Sequence, residues 1–203
     1  MRKVIIKQVR EHIQEVWEAS GRSEEDPGLR AHFNEKPRLP VTVVCSHLDK
    51  EINHGNILRI SECFRAEEVI FGTRGGDILD ISGSVGAQVW QPWRWSDAEE
   101  ILCELKAKGY HLYALHLSPQ AKAVQKMTWQ FPAALVLGQE LEGFRPEVLA
   151  LCDEHVAIPL YGLITSLNVA VATGICLHHI ADYYHHHTPT FTPARAVSQR
   201  LVK

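Results

Sequence analysis

The stretch Ile158-Pro-Leu-Tyr-Gly-Leu-Ile-Thr-Ser-Leu-Asn-Val-Ala-Val-Ala172 joins a loop holding Pro159 and Gly162 to an apolar run that reads as a helix. Two polar side chains, Ser166 and Asn168, stand at the junction. The first N–H groups of a helix have no intrahelical partners, so a helix mouth attracts hydrogen-bond acceptors, from its own cap or from a ligand. Ser166 is the expected N-cap. Asn168 is a mediocre helix former among apolar neighbours, which leaves two readings: a hydrogen-bonded core amide, or a group aimed at a ligand. Two further segments carry residues of this kind. Asn53-His-Gly-Asn-Ile-Leu-Arg59 runs from a loop into a helical pattern, with an amide and a guanidinium six positions apart. Leu135-Val-Leu-Gly-Gln-Glu-Leu-Glu-Gly-Phe144 is an apolar strand opening into a loop in which Glu140 stands between Gly138 and Gly143. Glycines placed there let a ligand approach the backbone closely. Singly, each segment has a plainer reading, as a turn or a surface ion pair. Neither loop is G-x-G-x-x-G or a P-loop, so dinucleotide binding of the Rossmann kind and ATP hydrolysis lack support.

All three segments follow expected strands, and the C-terminal ends of strands are where parallel α/β sheets bind ligands. The chain alternates accordingly. Strands are expected over residues 41–45, 68–72, 87–90, 110–117, 133–137 and 155–159, and helices over 56–66, 97–108, 146–152 and 163–183. The helix from Asp97 carries Glu99 and Glu100 in its first turn and Lys106 and Lys108 in its last, matching the helix dipole, and Gly109 ends it. The run Ala133-Ala-Leu-Val-Leu137 is apolar throughout, which suits a central strand covered on both faces. A helix over residues 2–19, a linker over 20–40 and a polar tail from His185 complete the chain. The pattern implies an α/β domain with a mainly parallel sheet and flanking helices. Three regions are expected: an N-terminal helical extension and linker (1–39), the main domain (40–183) and a C-terminal tail (184–203).

Composition narrows the function. The chain has 203 residues and a net charge of −3, so any RNA surface must be a local patch rather than an overall basic character. The five cysteines, Cys45, Cys63, Cys103, Cys152 and Cys176, form no C-x-x-C and are odd in number, which favours reduced thiols over a disulfide framework or zinc site. No run approaches a membrane span, and the N-terminus lacks a signal-peptide pattern. A soluble cytoplasmic protein with no membrane and no DNA partner is expected.

In this order, the three segments resemble the SpoU-type (TrmH) family of RNA 2′-O-ribose methyltransferases, in the SPOUT superfamily. The family's first motif has an Asn six positions before an Arg, here Asn53 and Arg59; its second is L-G-x-E-x-x-G, here Leu137 to Gly143. The third is I-P-x-x-G followed by S-L-N-V, here Ile158 to Val169. Ser84-Val-Gly-Ala87 and Ala114-Leu-His-Leu-Ser118 also look like the family. The latter, with Gln139, makes the tRNA guanosine branch the nearest likeness. The resemblance implies a SPOUT fold with a C-terminal deep trefoil knot, a homodimer, S-adenosylmethionine as cofactor and RNA as substrate, tRNA ahead of rRNA. By position it implies cofactor contacts, mainly through backbone groups, at Leu115, Gly138, Ile158 and Leu167. Arg59, Asn53, Glu140, Ser166 and Asn168 would be the catalytic set. A guanidinium keeps its proton in proteins, so Arg59 is read as a phosphate clamp rather than a base. Glu140 would orient the loops or balance Arg59.

Two positions depart from the family pattern. Arg65 stands where Gly is usual after Phe64, and Leu160 replaces a common Met. Arg65 would extend a positive surface with Arg59 and Arg74, or be an ordinary solvated side chain. Arg2, Lys3, Lys7 and Arg10 of the N-terminal helix are candidate substrate contacts. The histidines His178, His179, His185, His186 and His187 invite a metal reading, but no second ligand set accompanies them and no metal site is expected. Trp90, Trp93 and Trp95 are read as core or interface filling rather than base-stacking platforms. Competing classes are an rRNA methyltransferase of the same family, a non-catalytic knotted RNA-binding protein and a methyltransferase acting on a substrate other than RNA.

Overall fold

The computed structural model describes residues 37–48, 50, 52–73, 82–139 and 142–188. The expected N-terminal helix with its four basic residues, most of the linker, Arg74, Glu140 and the tail beyond residue 188 lie outside the described residues. The described elements are β1 (Leu39–Cys45), α1 (Ile52–Cys63), β2 (Ala66–Gly72), β3 (Trp93–Ser96) and α2 (Ala98–Ala107). They continue with β4 (His111–Leu115), β5 (Lys122–Ala123), β6 (Ala133–Leu137), α3 (Pro146–Leu151), β7 (Glu154–Ala157) and α4 (Val169–His187).

The strands form one sheet in the order β3-β2-β1-β6-β4-β7-β5, every pair parallel. β6 takes the middle place, as its uniformly apolar sequence requires, and all five of its residues are buried. Side chains alternate across the sheet. Val41, Val43 and Cys45 of β1 join Tyr113, Leu135 and Val156 in a core sealed by Ile57 and Leu58 of α1 and Ala170, Cys176 and Leu177 of α4. Val44, Ile70, Leu112 and Val136 point the other way, onto Ile101, Leu102 and Leu105 of α2 and Val148 of α3. Each large side chain of this kind stabilises the fold by about 1.5–3 kcal/mol on burial. Both faces of the sheet are covered, which leaves its C-terminal rim as the place where loops meet.

Several boundaries differ from the sequence expectation. β1 starts at Leu39, two residues before the expected strand, so the linker ends sooner. Helix α1 begins at Ile52 rather than residue 56 and ends at Cys63, so Asn53, His54 and Gly55 are helical and buried. Burial against the sheet overrides the poor helix propensity of Gly and Asn. Residues 87–90, expected as the third strand, instead hold a 3₁₀ turn, Ala87–Val89, entered through the left-handed Val85 and Gly86. The strand lies beyond Pro92, where Trp93, Arg94 and Trp95 pair with Val69, Ile70 and Phe71. Trp93 and Trp95 pack on Phe71 at ring separations of 6.4 and 5.5 Å, the filling role expected of them. The two-residue β5 is too short to leave any periodic signal. Asp97 caps α2, accepting from Glu99 N and Glu100 N at 2.9 and 3.1 Å, and Gly109 ends the helix turn at φ 84°.

Arg65 meets neither expectation made for it. Its backbone sits in the left-handed region at φ 52°, the conformation that makes Gly the usual choice after a helix. Its carbonyl accepts from Leu39 N at 2.9 Å, so the turn leads α1 directly into the sheet. The side chain is buried rather than solvated. Burial pulls the guanidinium pKa down, as does neighbouring Arg38, while Glu62 opposes both.

All five cysteines are free thiols, and burial pushes the Cys176 thiol up to about 12. Among the described residues no helix is long and apolar enough to cross a membrane, and no cluster of three metal-ligating side chains occurs.

Candidate functional site

Helices α1 and α4 both follow strands of a parallel sheet and both start at its C-terminal rim. That arrangement brings the first and third sequence segments together. Asn53, in the first turn of α1 and 1% exposed, accepts a hydrogen bond through Oδ1 from Asn168 Nδ2 at 3.1 Å. The same Asn168 is the N-cap of α4, its Oδ1 accepting from Ala170 N at 2.9 Å and Val171 N at 3.3 Å. The expected cap, Ser166, lies two residues earlier on an exposed loop, and α4 starts six residues later than expected, at Val169 rather than residue 163. An Asn with extended backbone reaches its own N2 and N3 amides as well as a serine does. One side chain therefore caps the helix with its oxygen and bridges to α1 with its nitrogen.

Arg59 is not brought into this pair. Six residues along an α-helix are about 1.7 turns and about 9 Å of axial rise, so Arg59 lies well away from Asn53 and on another face. There it is exposed, whereas Asn53 is buried. Ser166 is likewise exposed, and Glu140 lies outside the described residues.

Three of the four residues assigned to the cofactor share one rim. Leu115 ends β4, Gly138 follows β6, and Ile158 follows β7; these are three neighbouring strands, with Leu115 in register with Leu137 and Val156. Leu115 and Ile158 are half-buried and pack on the same core as Val169 and Ala170 at the start of α4. Leu167 stands apart at 39% exposure, in a segment where Tyr161, Leu163 and Ile164 are 96%, 99% and 77% exposed.

The glycines of the second segment serve the loop itself. Gln139 and Gly143 exchange backbone hydrogen bonds at 2.7 and 3.1 Å, and Gly143 takes φ 71° to close the turn. A Cβ on Gly138 would lie 2.7 Å from Phe144 Cδ2 and 2.9 Å from the Gly143 carbonyl carbon. On its Cβ side Gly138 is packed by its own loop, leaving only its backbone groups to meet a ligand. Gly138→Ala is therefore expected to destabilise the fold by about 1–3 kcal/mol through overpacking, measured by urea unfolding; an unchanged midpoint would show that the loop yields freely.

Sequence reasoning gave no role to a polar group beside this rim. His116 follows Leu115, its ring 5.4 Å from Phe144 and 5.7 Å from His155. Ser118 Oγ lies 3.0 Å from His155 Nδ1. Burial lowers the His116 pKa, and the neighbouring His155 lowers it further. The family-like stretch Ala114 to Ser118 contained it, and strand alternation places His116 on the same face as Leu112 and Ala114. Two clefts open near the rim. One, of about 420 Å³, is lined by Gln120, Lys122, Asp153, Glu154 and His155. The other, of about 270 Å³, lies among Ser46, Gly72, Asp97 and Gln139. Neither contains Asn53 or Asn168.

Comparison with known proteins bears on this geometry. The profile of the SpoU rRNA Methylase family matches residues 40–178. A tRNA (guanosine(18)-2′-O)-methyltransferase of Thermus thermophilus is 31% identical over 139 residues, covering 68% of this chain and 72% of that protein. The namesake from Escherichia coli is 30% identical over 144 residues, covering 70% and 63%. The Aquifex aeolicus protein is 40% identical over 77 residues, so the chain spans 36% of that relative's length. In three dimensions, the crystal structure of the A. aeolicus TrmH/SpoU tRNA modifying enzyme matches 85% of this chain and 89% of its own, with a TM-score of 0.73 at 24% identity, a likeness of fold. The family profile extends from β1 into α4 and so takes in all three motif segments: the chain belongs to the SpoU rRNA methylase family.

Proposed function

We propose that this protein is an S-adenosylmethionine-dependent RNA 2′-O-ribose methyltransferase acting on tRNA, as a homodimer in the cytoplasm and with the knotted C-terminal segment of its superfamily. The observation that carries the reading is the Asn53–Asn168 hydrogen bond, which joins the first and third motifs at the strand-end rim. The relatives' printed activity, methyl transfer to a tRNA guanosine, supports tRNA over rRNA. The exposed apolar run of Tyr161, Leu163, Ile164 and Val171 supports a second copy as its cover.

The rim fits the cofactor. Leu115 and Ile158 offer half-buried apolar walls on neighbouring strands, the kind of surface that small-molecule sites use for shape. Leu167 would join them only if the exposed loop closed over the ligand. When bound, S-adenosylmethionine supplies an electrophilic methyl group. The chain's own residues do the positioning. Asn168 and Asn53 hold the starts of α4 and α1 together, fixing the rim against which the ribose lies. Arg59 holds a backbone phosphate through its fork of N–H donors and keeps its proton throughout, positioning the ribose through that phosphate, and the 2′-hydroxyl proton leaves to water or phosphate. Glu140 and Ser166 complete the proposed set.

Isothermal calorimetry with S-adenosylmethionine and ribose-methylation mapping on unmodified tRNA and rRNA transcripts test the reading. Cofactor binding and a 2′-O-methyl on tRNA are expected. No cofactor binding, or no ribose methylation of either RNA, would overturn it; methylation confined to rRNA would overturn the tRNA assignment alone.

A further inference from the structure

The cleft of about 270 Å³ on the rim takes no part in the arrangement just described, yet it borders it. Its floor is the exit of β1 at Ser46 and the end of β2 at Gly72. These two chains approach so closely that a Cβ on Gly72 would lie 2.9 Å from the Cys45 carbonyl oxygen. One wall is Gln139, next to Gly138 of the second motif, and Ser46 N donates to Leu137 O at 2.9 Å, fixing that wall to the floor. The loop that leaves Ser46 leads within six residues to Ile52 and the first-motif helix. The cleft thus lies between the first and second motifs, beside the proposed cofactor rim. It is smaller than the roughly 300–1,000 Å³ of a typical small-molecule pocket, a size suited to one nucleobase rather than a whole nucleoside cofactor.

Its chemistry selects among nucleotide parts. Asp97 and Glu142 place two carboxylates in the lining. The guanidinium there, Arg145, is paired with Glu99 at 2.8 Å. Carboxylates in the lining suit a base edge rich in N–H donors better than they suit a phosphate. Guanine is the standard base whose Watson–Crick edge offers two adjacent donors, N1–H and the N2 amino group, and ionised carboxylates only accept. Asp97 is exposed at the start of α2 and oriented by its cap. Its Oδ1 is used in capping α2, and its Oδ2 takes no part in that cap.

We infer that this cleft receives the base of the nucleotide whose ribose is methylated, with Asp97 Oδ2 and the Glu142 carboxylate accepting from the guanine N1–H and N2 amino group. The inference rests on the methyltransferase reading. The test compares the wild-type protein with Asp97→Asn, which keeps the helix cap because Asn caps as well as Asp, but presents an amide where the acceptor stood. The methylated guanosine is first mapped on an unmodified tRNA transcript, then replaced by inosine, which lacks the N2 amino group. For Asp97→Asn, kcat/KM on the guanosine RNA should fall roughly 30-fold, within the range of one good hydrogen-bonded base contact. The preference of guanosine over inosine should collapse toward one, with the melting temperature and calorimetric cofactor affinity unchanged. Retained discrimination, or an equal loss on both RNAs, overturns the base-reading role while leaving the methyltransferase reading standing. A wild-type protein that binds no cofactor and methylates no RNA overturns both.

Discussion

Arg59→Lys is expected to lower the rate of methyl transfer to RNA by about 100-fold, the scale seen when one preorganised donor is removed from charge stabilisation. Calorimetric affinity for S-adenosylmethionine and the melting temperature should stay at wild-type values. Lysine keeps the positive charge and nearly the length, so a loss on this substitution isolates the forked, two-donor geometry of the guanidinium. Arg59 is exposed on α1, so the change leaves no buried hole and folding is an insensitive readout. Its separation from the Asn53–Asn168 pair sharpens the expectation. Arg59 lies about 9 Å further along the helix and on another face. A phosphate held there is reached by RNA extending from the rim of the same chain, or from the rim of the second copy in the proposed homodimer. In the proposed homodimer, mixing Arg59→Lys with a rim-defective Asn168 variant distinguishes these. Recovery of a substantial fraction of activity on mixing indicates a site shared between subunits, and no recovery indicates one confined to a single chain. Full turnover by Arg59→Lys alone would falsify the phosphate-clamp role.

The centre of the sheet was legible because β1 and β6 are buried on both faces: residues 41–45 are a β-branched run and 133–137 an apolar one, and their neighbours in register follow from the parallel alternation. The capped helix from Asp97 was legible for a different reason, since dipole-matched charges and a terminal glycine are local signals. Elements failed where a tertiary contact outweighed the local pattern. Residues 87–90 carry strand-forming types, but left-handed Val85 and Gly86 turn the chain there, and the strand waits until Trp93 can pair with Val69. Gly55 and Asn53 look like loop residues until the sheet against which they are buried is known.

Gly138 carries a tertiary reason that its sequence does not display. A glycine beside a loop reads as room for a ligand, whereas here Phe144 folds back onto its Cβ side. Arg65 shows the converse case. The likeness to a family that places Gly there carried the information that the backbone is left-handed, yet the residue's own type suggested only a surface charge. The motifs located the site's neighbourhood because they mark strand ends. They gave no distances, and so did not reveal that the amide pair closes within one chain while the arginine stands apart.

Asn168→Ala should reduce methyl transfer by about 100-fold and also destabilise the protein, because two jobs meet in one amide. Removing the cap costs about 1 kcal/mol. Removing the Nδ2 donor withdraws a partner from the buried Asn53 carbonyl, at a further cost of about 1–2 kcal/mol. For a chain of this size each kcal/mol lowers the melting temperature by about 2–4 °C. The family resemblance placed this residue in the catalytic set; the cap and the bridge add a substantial folding cost. Asn168→Ser separates the two. Serine caps a helix as well as asparagine does, so it should restore about 1 kcal/mol of stability relative to alanine. It lacks a nitrogen to donate to Asn53 Oδ1, so the rim stays unlinked and methyl transfer should remain near the alanine level. Thermal unfolding beside single-turnover methylation reads both effects on the same samples. If serine restores turnover together with stability, Asn168 acts on the reaction only by capping α4. If neither substitution slows turnover, the amide pair joining the first and third motifs has no part in the chemistry. A double-mutant cycle with Asn53→Ala should give a coupling of about 0.5–3 kcal/mol in stability, as for side chains in direct contact. A matching coupling in ln kcat would mean that the bond holding the two helix starts together is also what aligns the rim for transfer.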